Sequence, residues 1–139
     1  MKILFVCSGN TGRSPMAQFI MQKLIADAGL SKKISVSSAA SKPGAEGNLH
    51  QGIATKLRME KIPFDEHTAH TITPEDYAAN DLIVCMDAGN VEQVKEICGD
   101  PDGKIQMLLD KDIPWDKNGF AVMYNDILRG CKALLEKIA

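Results

Sequence analysis

Residues 2–15 read KILFVCSGNTGRSP, and this stretch falls into three parts. Lys2 to Val6 is a short β-rich apolar run, the pattern of a buried strand. Ser14-Pro15 predicts the start of a helix, with Ser14 as N-cap and Pro15 at the first helical position. Between strand and helix, Cys7 and Arg13 stand six positions apart, with Gly9 and Gly12 between them. In α/β folds ligands sit beyond the carboxyl ends of the strands. The first such end in this chain carries Cys7.

The two glycines let the loop bend tightly, with its N–H groups turned inward. The helix that follows aims its positive end at the same point. Together they form a pocket for a tetrahedral oxyanion, and Ser8, Gly9, Asn10, Thr11, Gly12, Arg13 and Ser14 are its candidate phosphate-binding residues. Arg13 can make a bidentate contact to two phosphate oxygens. Cys7, surrounded by these donors, is favoured as a thiolate. A thiolate facing a bound phosphate is set for attack through a cysteinyl-phosphate intermediate.

Outward from this loop, strand and helix signals alternate. Met16, Ile20, Leu24 and Ala28 repeat near helical period, and Gly29 follows as a stop. Residues 34–38 read as a second strand, 41–47 as a loop and 51–60 as a helix. Thr73-Pro74-Glu75-Asp76 is a helix start with an acidic first turn. A third strand is predicted over 81–86, a helix over 91–98, a fourth strand over 105–109, a loop over 111–119 and a final amphipathic helix over 120–138. This order predicts an α/β fold: a four-stranded parallel sheet with helices on both faces, as a single domain over residues 1–139.

Composition narrows the function classes. The net charge of −2 gives no electrostatic case for nucleic acid or an anionic membrane surface. No apolar run approaches the roughly 20 residues needed to span a bilayer. The apolar start is too short for a secretory leader, so the expectation is a cytoplasmic protein. Cys7, Cys85, Cys98 and Cys131 form no CxxC and no zinc-like spacing with histidine, and are expected to be free thiols. His50, His67 and His70 lack ligand spacing and read as surface or packing residues. The methionines at 16, 21, 59, 86, 107 and 123 read as core fillers.

Over nearly its whole length the chain resembles the low-molecular-weight protein tyrosine phosphatase family. The resemblance rests on the CSGNTGRSPMA loop, on Ser38-Ala39-Ala40 after the second strand, on Gly47 and Ala54, and on His67, Met86-Asp87 and Asn90. It implies that Cys7 is the nucleophile and Arg13 the phosphate clamp. By the same resemblance Asn10 holds the loop shape, Ser14 donates a hydrogen bond to the Cys7 thiolate, and Ser38 braces Asn10. It implies a phosphorylated protein substrate, a monomer or weak dimer, and no metal or organic cofactor.

Two departures bear on chemistry. The family's general acid is an Asp followed by Pro, whereas this chain has Asp112-Ile113-Pro114-Trp115-Asp116. An ungapped register puts Ile113 at the acid position. A second register, with a shortened loop, puts Trp115 or Asp116 there. Asp116 is the candidate proton donor and Asp112 its rival. Thr11 is similar to the bacterial protein-arginine phosphatase branch, where a Thr at this point favours phosphoarginine over phosphotyrosine. Gly44 lies where many tyrosine-directed members place a Trp. Two alternatives stay open: a phosphate-binding module without turnover, and a thioredoxin-coupled arsenate reductase, which needs further redox cysteines.

Overall fold

The computed structural model describes residues 1–139. Its four strands are β1 (Lys2–Cys7), β2 (Ser35–Ala40), β3 (Leu82–Cys85) and β4 (Ile105–Met107), and its helices are α1 (Arg13–Asp27), α2 (Gln51–Met59), α3 (Pro74–Ala79), α4 (Ala88–Cys98) and α5 (Phe120–Ile138). The strands pair in the order β2-β1-β3-β4, all parallel, as the alternating pattern predicts. Successive side chains of a strand face opposite ways. In β1, Ile3, Phe5 and Cys7 join the large core under α1, α2 and α5, while Leu4 and Val6 join the smaller core under α3 and α4. That parity places the Cys7 side chain on the α1 side of the sheet.

The strand order also locates the site. From β1 the chain crosses to β2 on one side, and β3 lies on the other, so the carboxyl end of β1 sits at a switch point of the sheet. The end of β2 is tied in by parallel bonding to residues 70–72: Ala40 N–H donates to the His70 carbonyl and Ile72 N–H to the Ala40 carbonyl. This strap passes directly behind the β1–α1 loop.

Several local expectations need correction. Helix α1 begins at Arg13 with Gly12 as N-cap and no side-chain cap, so Ser14 and Pro15 lie within the first turn. The Ser14 hydroxyl is free for the loop instead. Met59 is exposed rather than a core filler. The Thr73 start is as predicted, with a capping box between Thr73 and Asp76.

Candidate active site

The β1–α1 loop encloses a pocket of about 400 Å³ lined by Cys7 to Arg13 and Trp115. Cys7 lies at its floor, only 2% exposed. Its sulfur is 3.0 Å from Ser14 Oγ, and the Asn10 N–H donates to it at 3.3 Å. The Asn10 side-chain amide donates to Ser14 Oγ at 2.8 Å, so the Ser14 proton points either to the sulfur at 3.0 Å or to the Ala39 carbonyl at 3.5 Å.

Asn10 sets the loop's shape. Its φ of 58° is left-handed, a conformation that Asn tolerates better than most residues. Every polar group of Asn10 is engaged. Its Oδ1 accepts from the His70 N–H at 3.2 Å, and its carbonyl is 2.6 Å from His67 Nε2. A carbonyl can only accept, so His67 Nε2 carries the proton. Burial lowers the His67 pKa, the Asn10 bond opposes this, and nearby His70 lowers it further. The His67 side chain is therefore a brace of this loop rather than a plain surface or packing residue, while the His70 side chain is on the surface as expected and only its backbone N–H reaches Asn10. Ser38 is not a brace of Asn10: its hydroxyl donates to Gln18 Oε1 at 2.6 Å.

Arg13 is held from the far side. Its Nη1 donates to Asp87 Oδ2 and to the Ile113 carbonyl, both at 2.8 Å, and its Nη2 approaches Ser8 Oγ at 3.5 Å. Asp87 is the N-cap of α4, in a capping box with Asn90, so a helix start and the arginine share one carboxylate. An arginine so fixed presents its remaining donors in a set direction.

The loop before α5 closes the pocket mouth. The Trp115 ring lies against Gly12, where a Cβ would overlap it, and His50 and Phe120 pack on Trp115 at centroid distances of 5.1 and 5.5 Å. On the other wall the Thr11 methyl faces Gly47, whose φ of 113° a larger residue would resist. Ile113 is fully buried in the large core, and its N–H bonds to the Met86 carbonyl. The Ile113 side chain points inward, away from the pocket. Asp112 accepts from the Ala88 N–H at 2.9 Å, and Asp116 accepts from the Asn118 N–H at 2.9 Å within its own turn. Neither carboxylate lines the pocket.

This arrangement matches known proteins. Residues 2–139 fit the family model described as low molecular weight phosphotyrosine protein phosphatase. The chain belongs to this family. As a member of the low molecular weight phosphatases it is an enzyme. It is 35% identical to the low molecular weight protein-tyrosine-phosphatase YfkJ of Bacillus subtilis, over 98% of this chain and 94% of that one. It is 34% identical to the low molecular weight phosphotyrosine protein phosphatase of Rattus norvegicus, over 97% of this chain and 94% of that one. The crystal structure of YfkJ superposes with a TM-score of 0.94, covering 99% of this chain and 94% of the other. Within this phosphatase the sequence points to the loop itself. The roles of Asp87 with Arg13 and of His67 emerge only in three dimensions.

Proposed function

We propose that this phosphatase hydrolyses phosphorylated protein side chains through a cysteinyl-phosphate intermediate on Cys7. The observation that carries this reading is the buried Cys7 sulfur, with Ser14 Oγ and the Asn10 N–H close to it on the floor of the loop's pocket. The thiolate attacks phosphorus, the bond to the leaving atom breaks, and that atom takes a proton from a carboxylic acid. Water then attacks the phosphocysteine, gives its proton to the carboxylate, and releases inorganic phosphate and the thiolate. Backbone N–H groups of residues 8–14 and the Arg13 guanidinium hold the equatorial oxygens. A binding module without turnover has no use for such a prepared sulfur. A redox reading fares no better. Cys85 is fully buried in β3, where burial, and then the nearby Asp87 and Cys7, push its pKa up to about 12.

Asp116 is the proton donor in this account: its carboxylate does not itself line the pocket, but it follows Trp115, which does, and is bonded only within its own turn, whereas Asp112 is bonded to the start of α4. Asp116→Asn is expected to slow poor leaving groups by about 10²–10⁴-fold, the usual worth of a general acid, and to spare activated aryl phosphates. If Asp112→Asn produces that pattern instead, Asp112 is the donor.

The substrate is a phosphorylated tyrosine or arginine side chain. Thr11 lines the pocket with a hydroxyl-bearing side chain, which supports the polar guanidino group of phosphoarginine. Phosphate release from phosphotyrosine and phosphoarginine peptides, side by side with Cys7→Ser as control, tests both. The same reading takes residues 1–139 as one domain, acting in the cytoplasm as a monomer or weak dimer; its four unpaired cysteines support that compartment.

A further inference from the structure

Asn90 sits in the first turn of α4, is fully buried, and uses its whole side-chain amide. Its Oδ1 accepts from the Asp87 N–H at 3.2 Å. Its two amide protons go to Ser8 Oγ at 3.1 Å and to Ser41 Oγ at 3.2 Å. The orientation of the amide is fixed by these partners, since only the oxygen can accept from a backbone N–H. Ser41 passes its own proton on to Gln93 Oε1.

Ser8 is the unusual member of this set. A hydroxyl has two acceptor sites and one proton. Both acceptor sites of Ser8 are taken, one by Asn90 Nδ2 at 3.1 Å and one by Arg13 Nη2 at 3.5 Å. Its proton has no acceptor in the protein, and Ser8 lines the pocket above Cys7. A hydroxyl with both lone pairs engaged by donors can only act as a donor itself. The two donors behind it, one of them a guanidinium, also polarise the O–H bond.

We infer that the Ser8 hydroxyl donates a hydrogen bond to an oxygen of the bound oxyanion, and that Asn90 is the positioning residue that turns it there. This deepens the phosphatase reading given above and rests on it for the identity of the oxyanion. In this picture α4 reaches the loop twice from one capping box: Asp87 holds Arg13, and Asn90 holds Ser8. The loop then recognises phosphate by a side-chain hydroxyl as well as by its backbone N–H groups and the arginine.

The test uses the full chain and inorganic phosphate as the probe, with binding measured by titration calorimetry and independently of turnover. Ser8→Ala is expected to weaken phosphate binding by about 10–100-fold, the worth of a hydrogen bond to a charged group. Ser8→Thr keeps the hydroxyl and is expected to restore most of it. Asn90→Ala is expected to weaken binding, and the Ser8→Ala/Asn90→Ala pair to bind no worse than Ser8→Ala, because both remove one contact. Unchanged binding in Ser8→Ala, an equal loss in Ser8→Thr, or full additivity of the pair overturns the inference. If Asn90→Ala does not fold, the Ser8 pair decides alone. Turnover of Cys7→Ser is followed alongside. Activity retained in Cys7→Ser would refute the covalent mechanism while leaving the Ser8 result to stand or fall on phosphate binding.

Discussion

The six-membered ring of Trp115 occupies the space that a Cβ on residue 12 would need, so Gly12 and Trp115 are fitted to each other. The contact seats the loop before α5 on the phosphate loop. Gly12→Ala is expected to push the indole off, at about 1–3 kcal/mol of overpacking, and to raise KM. Trp115 is the one tryptophan of the chain, so its emission reports the displacement directly. In a Trp115→Ala background the same Gly12→Ala change is expected to cost little; a full cost there would place the strain elsewhere.

The Arg13–Asp87 pair, at 2.8 Å, is mostly shielded from water. Removing one partner of such a pair leaves a charge poorly compensated. Asp87→Asn keeps an acceptor for Nη1 but loses the charge, so the expected destabilisation is about 1–3 kcal/mol, the range for a hydrogen bond to a charged group. Turnover is expected to fall on the order of tenfold as the guanidinium loses its fixed aim. Urea denaturation and kcat measure the two effects, and wild-type values for both would mean that Asp87 serves only α4.

His67 links pH to stability. Burial lowers its pKa below 6.5 in the folded state. Between the folded value and 6.5 the unfolded chain therefore binds more protons, and stability rises with pH. The contribution is full above 6.5 and is lost as pH falls through the lowered folded value. His67→Gln keeps a donor for the Asn10 carbonyl without a titrating ring. Its stability is expected to fall less steeply than wild type from neutral to mildly acid pH. Parallel curves would show that the ring does not titrate on unfolding.

The legible part of this protein was local in the chain. Cys7, Arg13 and the helix after them lie within one short segment. The braces were not legible, because they are contacts across the fold. His67 reaches Asn10 from 57 positions away, and Asn90 reaches Ser8 from 82. No period or spacing marks such pairs. Ser14 looked like an N-cap because Ser before Pro usually is one; tertiary contacts with Cys7 and Asn10 claimed its hydroxyl instead. Ile113 looked like a replaced acid because Pro114-Trp115 resembles the family's Pro and aromatic. In the fold its side chain packs into the large core, and its N–H bonds to the Met86 carbonyl just past β3.

The central claim is that Cys7 carries the phosphoryl group during turnover. The most direct test is to mix enzyme with excess aryl phosphate, quench in acid within the first turnovers, and locate added phosphoryl by peptide mass spectrometry. The account predicts one phosphoryl group on the peptide containing Cys7, absent in Cys7→Ser, which should also lose turnover while keeping its fold. Phosphoryl on another residue, or wild-type turnover in Cys7→Ser, would contradict it.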